Sequence, residues 1–209
     1  MTIATSSKLG EQRVVFHALS WQQYEQILSA LPESRSTKLI YDQGTLEITM
    51  PLEDHESFAE WIGLLIRVLV EELGLEMKSI QSTTLNYPSL NKGAEADKAY
   101  YIQNQSKVAG RNIDLSQDPP PDLVVEVDIT HTDIDKNRLY ASMGVPEFWR
   151  FDGQALKIYQ LQNQQYLEVD RSPTFPTFPK SRFYQFLEDC ALGEVQASRS
   201  LRSWFQQNH

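Results

Sequence analysis

Apolar residues along the chain switch between two spacings. In "LSWQQYEQILSAL", Tyr24, Ile27, Leu28 and Leu31 recur at helical intervals, and Ser20 stands three residues before Gln23 as in a capping box. This predicts a first helix. "KLIYDQGTLEITM" changes to a period of two, with Leu46 and Ile48 alternating against Glu47 and Thr49 beyond the turn residues Asp42, Gln43 and Gly44, which predicts a hairpin. The helical spacing returns after Asp54, an expected N-cap. Phe58, Trp61, Ile62, Leu65, Leu69 and Leu73 form one stripe, and Gly74 stands where a C-terminal cap belongs.

"ADKAYYI" reads as a strand, followed by a polar loop from Gln103 to Pro121 that holds Gly110 and three consecutive prolines. "DLVVEVDI" has the apolar density of a strand buried in a sheet, and Asp133 to Met143 reads as a helix stopped by Gly144. Three more strands are expected in "PEFWRF", "ALKIYQL" and "YLEVD". The proline-rich "SPTFPTFPK" then crosses the surface into one or two C-terminal helices. No repeat, linker or boundary interrupts this order, so the expectation is a single domain over residues 1–209 of the α/β (α+β) class.

Composition narrows the picture. A chain of 209 residues buries about 70% of the surface its unfolded form exposes, and needs neither disulfide nor structural metal to fold. The single cysteine, Cys190, and the absence of zinc-ligand spacing point to a reducing compartment. "MTIATSSKLGEQRVVF" lacks a basic region followed by an apolar stretch, and no apolar run approaches the ~20 residues of a membrane span. The chain is therefore expected to be soluble and cytoplasmic, with no membrane partner. A net charge of −9 argues against sequence-independent polyanion binding, which depends on Lys and Arg.

Inside the buried strand, "LVVEVD" carries two acids, each of which costs several kcal/mol unless paired. Residues two apart on a strand share a face at about 6.6 Å, so Glu126 and Asp128 point one way and Val125 and Val127 the other. Carboxylates gathered at the C-terminal end of a strand are usual ligands of Mg²⁺, held by one or two carboxylates plus waters and phosphates. The alternative is an edge strand whose acids meet water.

In the order "YDQGTLEITMP", "DHESFAEWIGLLI", "EADKAYYI", "PDLVVEVDIT" and "DKNRLYASMGVPEFW", the chain resembles the Uma family of restriction endonucleases, within the PD-(D/E)XK nuclease superfamily. The resemblance covers about residues 20–155, and "KNRLYASMGVPEFW" is its most specific part. It implies a restriction-endonuclease-like mixed β-sheet flanked by α-helices. It also implies Mg²⁺-dependent hydrolysis of DNA phosphodiesters, with Mn²⁺ as a substitute ion.

By this resemblance the metal ligands are Asp97 and Glu126. Ala96 stands where the motif has proline, which alters a turn without removing a ligand. The "PD" at Pro121 and Asp122 is a decoy, because Asp122 lies about 13 Å from Glu126 along an extended strand. Asp122 is expected to satisfy backbone groups after the proline turn. Position 128 is Asp where the plain motif has Lys, and the lysine is expected on the following helix as Lys136, four residues before Tyr140 and on its face. Asp128 is read as holding Lys136, since an adjacent carboxylate favours the charged amine. Glu56 is an accessory acid on the long helix, although periodicity turns it toward solvent. Tyr140 completes the accessory set, while His55 and His131 are not needed as ligands.

Two other readings stay open: a catalytically idle nuclease fold that binds nucleic acid or protein, and a metal phosphoesterase acting on a smaller nucleotide. A homodimer is a further expectation, built on an exposed aromatic patch at Phe175, Phe178 and Tyr184.

Overall fold

The computed structural model describes residues 12–32, 35–50, 52–80, 83–129 and 132–208. In chain order the elements are β1 (Gln12–Phe16), α1 (Trp21–Ala30), β2 (Lys38–Asp42), β3 (Thr45–Met50), α2 (Glu53–Glu72), β4 (Lys78–Ser79) and β5 (Leu85–Tyr87). After a 3₁₀ turn at Pro88–Leu90 come β6 (Lys92–Ala94), β7 (Lys98–Tyr101), α3 (Gln105–Val108), β8 (Leu123–Val127) and α4 (Lys136–Ser142). The chain closes with β9 (Glu147–Phe151), β10 (Leu156–Gln162), β11 (Gln165–Val169), α5 (Lys180–Leu192) and α6 (Glu194–Asn208).

Local chemistry accounts for the best-defined of these. Ser20 caps α1 by accepting from the Gln23 amide at 3.2 Å while the Gln23 side chain accepts from the Ser20 amide at 2.8 Å, the reciprocal pair expected of a capping box. Between β2 and β3, Gln43 and Gly44 take φ of 46° and 100°, the left-handed pair whose twist suits a two-residue hairpin. α2 begins one residue ahead of the expected cap. Leu52 occupies the N-cap without a side-chain bond, and Glu53, Asp54 and Glu56 lie in the first turn, where carboxylates favour the helix dipole. α4 starts later than its apolar pattern suggests, because Asp135 caps it by accepting from the Arg138 amide at 3.1 Å.

The strands form two sheets. One has the order β1-β3-β2-β6-β5 and is antiparallel throughout; the other runs β11-β10-β9-β8-β7-β4. In the second sheet β8 and β9 are parallel, joined across α4, and the remaining pairs are antiparallel. β8 is thus an inner strand, buried along its whole length, which removes the edge-strand reading of its acids.

Each face of the second sheet has its own core. Val125 and Val127 pack with Ile62, Leu65 and Leu69 of α2 and with Phe183 and Phe205 of α5 and α6. On the opposite face Val124 and Phe148 meet Leu139 and Tyr140 of α4 together with Ile40 and Ala94 of the first sheet. A third cluster seats Tyr24 of α1 against Leu39, Tyr41 and Leu46.

Two expectations are corrected here. The loop after β7 carries the short helix α3. Phe175 and Phe178 are buried, Phe175 fully, because they close the core beneath α5 and α6. Tyr184 packs against that core and stays partly exposed, so of the aromatic patch expected for a dimer the two phenylalanines are withdrawn from the surface. Among the described residues no helix is long and apolar enough to cross a membrane.

The junction of α1 with the first sheet depends on Gly93 in β6. A Cβ there would stand 2.5 Å from the Tyr24 hydroxyl and 2.6 Å from the Asn86 carboxamide oxygen, and these two groups hydrogen-bond each other at 2.9 Å. Gly93→Ala is therefore expected to lower stability by about 1–3 kcal/mol through overpacking. The check is a urea titration, in which the midpoint should fall at unchanged slope.

Candidate active site

Two acids meet where β7 and β8 lie side by side. Lys98 pairs with Val125 in this antiparallel register, so Asp97, one residue before β7, stands beside the end of β8. Its Oδ2 accepts from the Val127 amide at 2.7 Å, and its Oδ1 accepts from Nζ of Lys38 on β2. His55, in the first turn of α2, brings Nε2 to 3.2 Å from Oδ2. Asp97 is consequently held by a strand, a helix and the neighbouring sheet.

Glu126 points to the α4 side of β8 and is 2% exposed. Tyr140 donates its hydroxyl to Oε1, and Lys136 donates Nζ to Oε2 at 2.6 Å. The same ammonium donates to Asp128 Oδ1 at 2.5 Å, and Arg150 Nε donates to Asp128 Oδ2 at 2.7 Å. Lys136 is the first residue of α4 and Tyr140 lies four further on, so one helical face delivers both groups to Glu126. Glu56 sits at the rim with its side chain 55% exposed, 3.6 Å from Lys38 Nζ and 3.6 Å from His55 Nδ1.

The structure brings Asp97, Glu126, Asp128, Lys136 and Tyr140 together and leaves Glu56 at the margin. Three neighbours escaped the sequence reading: Lys38, Arg150 and His55, the last of which had been set aside. His131 lies outside the described residues. Asp122 acts as a backbone clamp, as expected: Oδ2 accepts from the Ile102 amide at 2.7 Å and the Asn104 amide at 2.9 Å, and Oδ1 from the Asn104 carboxamide at 2.5 Å. Lys98 is directed at α2, where it donates to Glu60 at 2.7 Å. Arg138 is largely exposed and its Nη2 lies 3.2 Å from Asp42.

Electrostatics divides the acids. Burial pushes the Asp97 carboxyl upward, but the hydrogen bond from His55 and the charges of Lys38 and Lys136 outweigh it and hold the group below the usual carboxylate range. Burial also raises Glu126; Lys136 opposes this, but the negative charges of Asp97 and Asp128 add to it, and the net direction is up. Burial disfavours the Lys136 ammonium, yet Glu126, Asp128 and Asp97 more than compensate and keep it firmly protonated.

These donors suit a hard divalent cation. The acceptors are all carboxylate oxygens, and ammonium groups already take the positions that positive charge favours. Among the described residues no group of three or more His, Cys, Asp or Glu stands together to hold a metal. Two carboxylates with the remaining positions left to water and phosphate is the usual arrangement for Mg²⁺-like ions.

Comparison with known proteins bears on the family and the fold. Residues 21–192 match the family Uma2, described as "Putative restriction endonuclease". A solved structure, the "putative nuclease belonging to DUF820 from Anabaena variabilis", superposes with a TM-score of 0.55 at 14% identity, covering 81% of this chain and 99% of its own. At that identity the likeness is one of fold. No curated protein matches.

Asp122 offers a test of which "PD" aspartate belongs to the centre. Asp122→Ala leaves the Ile102 and Asn104 amides without their acceptor, so a stability loss of about 2–3 kcal/mol is expected in chemical denaturation. Divalent-ion binding by the folded variant should match wild type in calorimetry, since the carboxylate is committed to backbone groups.

Proposed function

Because the chain belongs to the Uma2 restriction-endonuclease family, we propose that it is a metal-dependent endonuclease that hydrolyses DNA phosphodiesters at a centre built from Asp97, Glu126 and Lys136. The observation that carries this reading is the Lys136 ammonium, which reaches both Glu126 and Asp128 from the start of α4. A lysine on the helix thereby takes the role that the strand position 128 cannot supply.

Asp97 and Glu126 would hold the cation, Mg²⁺ or Mn²⁺, which would supply a water of lowered pKa and charge neutralisation at the phosphate. His55 and the Val127 amide fix the Asp97 carboxylate, and Tyr140 fixes Glu126 through Oε1. Lys136, whose ammonium is favoured by Glu126 and Asp128, orients the attacking water or stabilises negative charge developing on the phosphate. Asp128, itself held by Arg150, keeps that ammonium in place. Glu56 stands at the open rim as an accessory acid. In-line attack leaves a 5′-phosphate and a 3′-hydroxyl, in keeping with the superfamily.

A second reading has an observation of its own. Asp97, Glu126 and Asp128 are each engaged by a cationic side chain of the chain itself, which suits an idle fold retained as a binding module.

Cleavage of plasmid and linear DNA with Mg²⁺ or Mn²⁺ separates the two. Asp97→Asn and Glu126→Gln are expected to abolish both cleavage and calorimetric metal binding. Lys136→Ala should cut the rate by about 10²–10³-fold while metal still binds, since lysine is no ligand. Its folded state must be verified first, because stripping the partner from a buried ion pair costs about 3–5 kcal/mol. Lys136→Arg should rescue poorly, as a guanidinium changes the donor geometry. Arg138→Ala is the control, with an effect confined to DNA affinity and its salt dependence. Wild type that cuts no DNA with either ion would sink the DNA-endonuclease reading and favour the binding module.

A further inference from the structure

Each buried acid of the centre is already met by a cation of the chain itself, and the cations on Asp97 and Glu126 are held differently. Lys136 is 8% exposed and locked between two buried carboxylates. Lys38 enters from β2 of the other sheet, is 24% exposed, and shares its ammonium between Asp97 and the largely exposed Glu56. We infer that Lys38 is an exchangeable counter-ion, which occupies the cation position on Asp97 in the metal-free protein and is displaced when a divalent ion binds. The inference rests on the metal-centre reading above and concerns what the chain does before the metal arrives.

Charge bookkeeping motivates the exchange. Asp97, Glu126, Asp128 and the rim acid Glu56 face Lys38, Lys136 and Arg150, with His55 beside them, so most of the negative charge is met before any metal arrives. Two further positive charges within a few ångströms would repel an ammonium strongly in so poorly solvated a site. Arg150 is more exposed still, but it bonds Asp128 alone; of the two cations that sit on the proposed ligands Asp97 and Glu126, Lys38 has the easier exit. It is not enclosed by α4, and it has a second carboxylate at 3.6 Å on the solvent side, where Glu56 can keep it close without returning it to Asp97.

Asp97 is prepared to lose this partner. Its Oδ2 stays fixed by the Val127 amide and His55, so the departure of Lys38 frees Oδ1 without releasing the carboxylate. Lys38 acts through Asp97 and is therefore a positioning residue. Its presence keeps a buried acid compensated, at the cost of competing with the metal for one oxygen.

The competition makes a prediction that a purely structural ion pair does not. Lys38→Met should bind Mg²⁺ about tenfold more tightly than wild type by calorimetry, a change within the range produced by outer residues around metal ligands. It should also melt at a lower temperature without metal and regain more of the difference when saturated with Mg²⁺. Lys38→Arg, which retains the charge, should bind Mg²⁺ like wild type. Unchanged or weaker binding by folded Lys38→Met overturns the inference and leaves the metal centre standing; no Mg²⁺ binding by either protein overturns both. A measurement on wild type covers the case in which the variant does not fold. Reductive methylation followed by mass spectrometry should label Lys38 faster when Mg²⁺ is added, and labelling that stays constant or slows would count against displacement.

Discussion

A carboxylate buried in the middle of a sheet must be compensated, and the architecture around β8 answers to that requirement. Glu126 sits in a strand with β7 and β9 on either side and cores above and below, where an unpaired charge would cost several kcal/mol. Compensation comes from α4, whose start is set by the Asp135 cap so that its first residue, Lys136, turns back onto Glu126. The loop leading to that cap is tied down in turn. Glu47 of the first sheet accepts from the Thr132 hydroxyl at 3.0 Å and from the Asp133 amide at 3.1 Å. Two buried acids thus share the work: Glu126 seats the start of α4, and Glu47 ties its lead-in loop to the first sheet.

An acid at position 128, with Lys136 on the helix, has a chemical effect of its own. This second carboxylate shares the Lys136 ammonium and recruits Arg150 from β9. Affinity for protons then differs across the centre: Asp97, surrounded by donors, stays charged, whereas Glu126, deeply buried and facing two like charges, is raised. The strand supplies acids, the helix supplies the donor, and neither element alone has a balanced charge.

Local patterns in the sequence account for what was legible. The Ser20 and Gln23 pair, the Gln43 and Gly44 turn and the stripe from Ile62 to Leu69 are signals within one element, and the structure contains each of them. β4, β5 and β6 have two or three residues apiece, too few for a period of two to register. Glu126, Asp128, Lys136 and Tyr140 could be brought together on paper because they lie on consecutive elements. Lys38 and His55 could not. Lys38 opens a hairpin and His55 stands among helix-start acids, and nothing within either segment reveals that both end at Asp97; the Lys38 contact spans 59 residues of sequence. Phe175 and Phe178 misled for the opposite reason, since prolines around them suggested surface while the C-terminal helices fold back to cover them.

That same reach across the chain has a consequence for the order of events in folding. Lys136 meets Glu126 across 10 residues and Lys38 meets Asp97 across 59, so the two halves of the charge network close at different loop lengths. A β7–β8 hairpin that formed first would leave its acids hydrated and mutually repelling, and it would resist dehydration until α4 docked. The Asp97 half would wait longer, for the first sheet to arrive with β2, because long loops close at greater entropic cost. Repulsion between unmet carboxylates would then act as a checkpoint against premature collapse of the central sheet.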